Sequence, residues 1–144
     1  MTSPEVLDKT ECILTVGVSL DPYWLEDPIY FAQPVIGYRT GIAKNQELGV
    51  TLYGITLPAV VIDHKHQFLK RPNNFTISGD LALFVGAFRP IGGQYELLFG
   101  KRQLYGSLGA GYDFLDIEGS YWIVGIGTER IGNLIYKLVL YCQI

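Results

Sequence analysis

The segment "DHKHQ" holds the chain's two histidines, His64 and His66. Two residues apart on a β-strand, they would share one face, which is an acceptable geometry for a pair of metal ligands. A zinc site needs a third protein ligand, and the spacing of the other Cys, His, Asp and Glu residues nominates none. The strand phase places both histidines in the same row as Ile62 and Phe68, so we expect them near the edge of an apolar surface.

Nucleophilic catalysis by a serine with a histidine and an acid is the other chemistry to consider. Ser19, Ser107 and Ser120 are available, but no His-x-Ser pairing occurs in the chain. The glycines between Gly106 and Gly111 have a spacing like that of a nucleotide-binding loop, yet they lie in a strand pattern and not before a helix. We therefore nominate no catalytic, cofactor-binding or metal-ligating residue, and we predict no cofactor.

The composition limits the classes of protein that remain. At 144 residues the chain is one domain with a substantial core. Its charged residues amount to only 17%, and its 17 glycines are about 12% of the chain against the usual ~7%. A net charge of -3 without any basic run predicts no nucleic-acid partner. No apolar run approaches the ~18 residues of a transmembrane helix, and the N-terminus has no signal-peptide pattern.

Nine segments with a period of two follow a polar N-terminal tail of residues 1–11. Pro, Gly, Asn and Asp, which favour turns, separate them. The predicted strands are 12–20, 29–43, 47–56, 59–70, 75–88, 94–101, 104–114, 121–128 and 134–143. Because no segment shows helical periodicity, we predict one all-β domain over residues 12–144, with consecutive strands paired antiparallel.

The segment 75–88 indicates which face of the predicted sheet points inward. One row of alternate residues is mostly apolar and the other mostly small or polar. The first row is Phe75, Ile77, Gly79, Leu81, Leu83, Val85 and Ala87, and the second is Thr76, Ser78, Asp80, Ala82, Phe84 and Gly86. A water-facing row would be rich in Lys, Glu and Arg, whereas glycine weakens a strand and contributes nothing to a water-facing surface. Small residues do leave room for a few large polar ones inside a narrow barrel. We therefore expect the apolar row to face lipid and the polar row to face inward.

Single charges of both signs are scattered along the inward row. A charge in a narrow interior of low dielectric must be paired or hydrated, so we predict that Arg39, Lys65 and Lys137 contact acids there. The predicted interior polar cluster consists of Arg39, Glu47, Asp63, Lys65, Asp80, Glu96, Asp113, Glu129 and Lys137.

Aromatic residues gather near the predicted strand ends, which fits girdles at two membrane interfaces. The alternative explanation is that aromatic residues simply favour strands. The residues concerned are Tyr23, Trp24, Tyr30, Phe31, Phe88, Tyr95, Phe99, Tyr105, Phe114, Tyr121 and Trp122.

The segments "ELGVTLYG" and "YGSLGAGYDF", with these aromatic strand ends, resemble the small outer-membrane β-barrels of Gram-negative bacteria. The resemblance covers nearly the whole chain after residue 11. It implies a closed antiparallel up-and-down transmembrane β-barrel of about 8–10 strands in the bacterial outer membrane. It also implies a structural, surface or partner-binding role without an open pore, because side chains about fill a barrel of that size. The implied partners are membrane lipids or lipopolysaccharide, with another envelope protein as a further candidate.

Two features depart from that family. The chain ends "YCQI" where such barrels usually end in an aromatic residue, and nine is an odd number where theirs is even. An even count would remove one of the weakest segments, 12–20 or 94–101, and would bring Cys12 and Cys142 to the same end of the barrel. Two other functions stay open: a soluble lipocalin-like barrel that holds an apolar ligand, with the two faces exchanged, and an interfacial lipid-modifying enzyme.

Overall fold

The computed structural model describes residues 4–24, 28–54, 58–86, 91–101, 104–114, 119–129 and 135–143, with side chains left undescribed in 19–24, 28–32, 128–129 and 135–143. The strands are β1 (Cys12–Trp24), β2 (Pro28–Ala43), β3 (Gln46–Tyr53), β4 (Ala59–Lys70), β5 (Thr76–Gly86), β6 (Gly92–Lys101), β7 (Leu104–Asp113), β8 (Ser120–Glu129) and β9 (Ile135–Gln143). Each strand pairs antiparallel with the next, so the fold is a single all-β sheet in the order β1 to β9. Among these residues no helix has the length and apolarity that a membrane crossing requires.

All nine segments predicted from the alternation form strands, including 12–20 and 94–101. The largest difference lies in "DPYWLEDP", which the sequence analysis interpreted as a break. Asp21 to Trp24 continue β1 in register with β2, and Pro28 begins β2. Pro22 fits there because β1 pairs with only one strand of the described sheet, and an edge strand tolerates a residue without an N–H donor.

The odd number of strands fixes the relative direction of the first and the last. In an up-and-down antiparallel sheet of nine strands, β1 and β9 run the same way. Cys12 begins β1 and Cys142 lies near the end of β9, so the two cysteines lie at opposite ends of the sheet and not at one end. Within the described ranges β1 does not pair with β9, and the described sheet is therefore not closed.

The two faces of the sheet differ in chemistry, and the apolar one is exposed. On β5, Leu81, Leu83 and Val85 are 51%, 55% and 55% exposed, whereas Ala82 and Phe84 between them are buried. We call the exposed face the apolar face and the buried one the polar face. No second layer covers the polar face in the described part of the chain. A single sheet buries one of its faces only by curving around it.

The strand register aligns apolar residues with apolar residues, and polar-face residues with one another, across several neighbouring strands. Leu97, Leu108 and Val124 are paired in one row on the apolar face of β6, β7 and β8. The neighbouring row on the polar face pairs Glu96, Gly109 and Ile123. A slip of one residue would exchange the two faces along a whole strand, so the burial of one face specifies the register.

Aromatic rings from neighbouring strands cover many of the strand glycines. A Cβ atom added at such a glycine would lie 2.2–2.7 Å from a ring carbon or phenol oxygen. The pairs are Tyr95 over Gly79 and Phe99 over Gly106 on the apolar face, and Phe84 over Gly92, Tyr121 over Gly111 and Tyr105 over Gly127 on the polar face. The glycines on these strands therefore leave the space that the aromatic rings occupy.

This packing corrects part of the predicted girdle. Tyr105 and Tyr121 are buried on the polar face, where they lie over glycines, whereas Phe99, Phe114 and Trp122 are exposed. Tyr95 is exposed as well, in the middle of its strand. The other aromatic residues assigned to the girdle (Tyr23, Trp24, Tyr30, Phe31, Phe88) have side chains outside the described residues.

Gly109 provides a test of this close packing. Its Cβ would lie 2.4 Å from the carbonyl oxygen of Tyr95, a backbone atom that cannot rotate away. We predict that Gly109→Ala lowers the free energy of unfolding by about 1–3 kcal/mol, measured from the urea unfolding midpoint. Gly17→Ala is the control, because nothing lies within 4 Å of a Cβ at that position. Equal unfolding midpoints for the two variants would contradict the packing.

Candidate functional site

Charged residues are concentrated on the polar face in two neighbouring rows. In the first row Glu47 pairs with Lys65, Lys65 with Asp80, and Asp80 with Glu96. Directly opposed residues in an antiparallel pair have Cβ atoms about 4.5–5.5 Å apart. The register alone therefore brings one lysine into reach of acids on both sides of it.

The second row brings an arginine to an acid across an intervening strand. Arg39 on β2 and Asp63 on β4 are both in register with Gly49 on β3. A Cβ at Gly49 would lie 2.7 Å from an oxygen of Asp63. The missing side chain of Gly49 is therefore what gives the Arg39 and Asp63 side chains room to meet.

Arg39 is the centre of the resulting cluster. Its guanidinium donates hydrogen bonds to Glu47 and to Asp63, and it lies 3.8 Å from Asp80 Oδ2. Lys65 Nζ lies 3.1 Å from Glu47 Oε1. None of the five residues is more than 5% exposed. A planar guanidinium with several donors suits a site with three carboxylates, and charges this deeply buried are tolerated when they are paired. We call these five residues the charged cluster.

The N-terminal tail packs beside the charged cluster, a contact that the sequence analysis did not predict. The Leu7 N–H donates a hydrogen bond to Glu47 Oε2 (3.0 Å), and the Val6 N–H donates to Gln67 Oε1 (3.4 Å). Pro4 is fully buried. Glu47 therefore accepts hydrogen bonds from the tail as well as from the cluster. These bonds use backbone donors, which every sequence carries, so residue types alone do not reveal them.

The packing of the tail also requires a residue without a side chain at Gly41. A Cβ at Gly41 would lie 2.2 Å from the carbonyl oxygen of Asp8 and 2.6 Å from that of Leu7. The Gly41 N–H also donates to the carbonyl oxygen of Glu11 (3.2 Å).

The two ends of the sheet are named by the position of the tail. We call the end with the tail and the turns 44–45 and 71–75 the tail end, and the other the opposite end.

The remaining members of the predicted cluster have different positions. Glu96 is buried in the row of Asp80. Asp113 is half-buried and pairs with Gly92, nearer the opposite end. Glu129 lies in β8 and Lys137 in β9, but their side chains are outside the described residues.

The residues considered for catalysis are not brought together. His64 and His66 are on the apolar face, where His64 Nε2 lies 3.3 Å from Gln46 Oε1 and the His66 ring packs at 5.1 Å from that of Phe68. Ser107 is buried on the polar face, on the other side of the sheet from both histidines. Ser120 begins β8, and the Ser19 side chain is outside the described residues.

A metal centre also finds no support in the geometry. In the described part of the chain no three His, Cys, Asp or Glu residues are placed so that they could hold a metal ion. Comparison with family models, curated proteins and solved structures finds no match for this chain. Its function is therefore argued from the chemistry of its two faces and of the charged cluster.

Arg39→Met tests the role of the charged cluster. Removing the arginine leaves Lys65 as the remaining cation of the charged cluster beside three buried carboxylates, and we predict a loss of about 3–5 kcal/mol in the free energy of unfolding. Adding Asp63→Asn and Asp80→Asn should recover part of that loss. Lys101→Met, at an exposed position, should cost less than about 0.5 kcal/mol. An Arg39→Met protein as stable as the parent would contradict the role.

Gly41→Ala tests the packing of the tail. The added methyl group should displace residues 6–8, because it meets backbone atoms of Asp8 and Leu7. We predict faster hydrogen exchange at the Leu7 amide, which would lose its bond to Glu47. The control is Gly37→Ala in the same strand, where the nearest atom is the rotatable Thr51 Oγ1 at 3.2 Å. An unchanged exchange rate at Leu7 in Gly41→Ala would show that the tail does not depend on this contact.

Proposed function

We propose that this chain forms a small membrane-spanning β-barrel of the bacterial outer membrane, with its apolar face toward lipid and the charged cluster inside. Its role would be structural or partner-binding, without an open pore and without catalysis. The proposal rests on one observation: the sheet buries polar side chains and exposes apolar ones, which is the opposite of a water-soluble protein.

Burial in the described residues is inverted. Six hydrophobic side chains are buried, against ten polar or charged ones, while large hydrophobic side chains are exposed on β1 to β8. Water-soluble domains bury Val, Leu, Ile and Phe and almost never fully bury Lys, Glu or Arg. Exposed apolar surface of this extent would be unfavourable in water. It is favourable against acyl chains, which are as apolar as leucine.

The height of the apolar face supports a membrane crossing. On β5 its row runs from Ile77 to Val85. At ~3.4 Å per residue this is about 27 Å along the strand, or about 21 Å of membrane thickness at a tilt of ~40°. Outer-membrane barrels have an apolar band of about 25 Å.

Closure of the sheet is part of the proposal. In lipid an open sheet edge would leave backbone N–H and C=O groups without partners, so a spanning sheet must close on itself. Since β1 and β9 run in the same direction, closure of these nine strands would pair them in parallel. Odd-numbered membrane barrels exist, the mitochondrial barrel of 19 strands among them.

The interior contents support the absence of an open pore. Tyr105 and Leu98 are buried on the polar face together with the charged cluster. The tail occupies the same face at the tail end. Side chains about fill a barrel of this size. The tail would take up further space inside it.

The two alternatives lack such support. A lipocalin-like barrel would present its apolar row to an internal ligand, but the buried face of this sheet carries five paired charges instead. An interfacial enzyme would require a serine near a histidine, whereas Ser107 and the histidines are on different faces.

Leu83→Arg tests the orientation of the two faces. A cation on the lipid side at mid-membrane costs about 2–4 kcal/mol, so we predict that this variant folds poorly into lipid vesicles. Ala82→Ser, the neighbouring residue on the polar face, should fold almost as the parent does. The measurement is the folded fraction of each protein after dilution from urea into vesicles. Normal folding of Leu83→Arg with failure of Ala82→Ser would reverse the faces and with them the proposal.

A further inference from the structure

The cationic side chains in the described part of the chain are distributed unevenly between the two ends of the sheet. The structure describes seven of them, and two, Arg39 and Lys65, belong to the charged cluster. The other five are exposed and all lie at the tail end: Lys9, Lys44, Lys70, Arg71 and Lys101. At the opposite end the described residues include no cation.

Four of these cations follow exposed apolar residues in the chain. Lys101 follows Phe99 in the same outward row of β6, and both are exposed. Lys70 and Arg71 directly follow Phe68 and Leu69 on β4, which are 57% and 38% exposed. On β6 the apolar row ends in Lys101, whereas on β4 Lys70 pairs with Thr76 of the polar face and Arg71 follows it.

The same order occurs on β2, where Lys44 follows the exposed Ile42. The turn 44–45 lies beside β4, because the carbonyl oxygen of Asn45 accepts a hydrogen bond from the Gln67 N–H (2.9 Å). We call Lys44, Lys70, Arg71 and Lys101 the cationic collar.

The strand register keeps the collar compact. Lys70 pairs with Thr76, and Thr76 pairs with Gly100, next to Lys101. Two strand spacings of about 4.8 Å put the backbones of Lys70 and Gly100 roughly 10 Å apart, and Lys101 follows Gly100 in the chain.

The acids at this end neutralise the collar only in part. Glu5 Oε1 lies 2.9 Å from Lys70 Nζ. Asp8 and Glu11 of the tail also lie there, and the Asp8 N–H donates to Glu11 Oε2 (3.0 Å). Glu129, the last residue of β8, is at the same end of the sheet, with its side chain outside the described residues. The salt bridge itself is about half exposed at the lysine, so it is weak enough to be exchanged for another anion.

We propose that the cationic collar binds the phosphate groups of anionic lipids in the leaflet at the tail end. The inference rests on the proposed function, because it takes the apolar face to be covered by acyl chains. Lipid phosphates lie at the edge of the hydrocarbon layer, where the stems of Lys and Arg run over apolar side chains and their heads reach the headgroups. A single anionic lipid would thus cover Phe68 or Phe99 with its chains and neutralise a neighbouring cation with its phosphate.

The test compares spin-labelled phosphatidylglycerol with spin-labelled phosphatidylcholine around the protein in phosphatidylcholine vesicles. Electron paramagnetic resonance gives the fraction of each label that the protein surface immobilises. At low ionic strength we expect a preference for phosphatidylglycerol of about threefold, which is smaller than the effect at a single cation because the measurement averages over the whole lipid shell. The preference should fall as salt is added.

Two variants isolate the collar. Replacing Lys44, Lys70, Arg71 and Lys101 by Gln should reduce the ratio to about one, whereas Lys→Arg at the three lysines should retain it. No preference in the parent protein, or an unchanged preference in the Gln variant, would overturn the proposal while leaving the membrane-spanning fold intact. Failure of the parent to immobilise either lipid would instead overturn the proposed function and this inference with it.

Discussion

The buried polar face of the sheet depends on the hydrogen bonds of Arg39 to Glu47 and Asp63. A polar face with several buried carboxylates is stable only if cations lie among them, and the guanidinium reaches two of them directly and a third at 3.8 Å. Gly49 on the third strand makes this approach possible, because it has no side chain between Arg39 on the second strand and Asp63 on the fourth. Lys65 completes the arrangement through Glu47, the same residue that holds the Leu7 amide of the tail.

The burial of charged side chains on one face determines which side chains lie on the other face. Successive side chains of a strand point to opposite faces, so a strand that places paired charges on the polar face places its alternate residues on the apolar face. Those residues are apolar on strand after strand, and rings over glycines keep the outer surface continuous. We infer that lipid covers this face, and that lipid phosphates meet the cations where the apolar rows end.

The sequence predicted the strands well because alternation is a local property. All nine segments became strands, and the register then brought Arg39, Glu47, Asp63, Lys65 and Asp80 together. The continuation of the first strand through Pro22 was missed, because turn chemistry outweighed the edge position that tolerates a proline. The packing of Tyr105 and Tyr121 over glycines was not predicted, because a ring over a glycine depends on pairing between strands. The packing of the tail was not predicted, because its donors are backbone N–H groups that every sequence carries.

The central claim, that the apolar face contacts lipid, can be measured with nitroxide labels on single-cysteine variants folded into vesicles. Leu97, Leu108 and Val124 form one row on the apolar face, and Leu98, Ser107 and Ile123 lie on the polar face beside them. The account predicts that labels in the first row collide often with oxygen, which concentrates in acyl chains, and rarely with a water-soluble nickel complex. Labels at the three polar-face positions should be poorly accessible to oxygen. Frequent collisions of the first row with the nickel complex would contradict the account, because that face would then be in water.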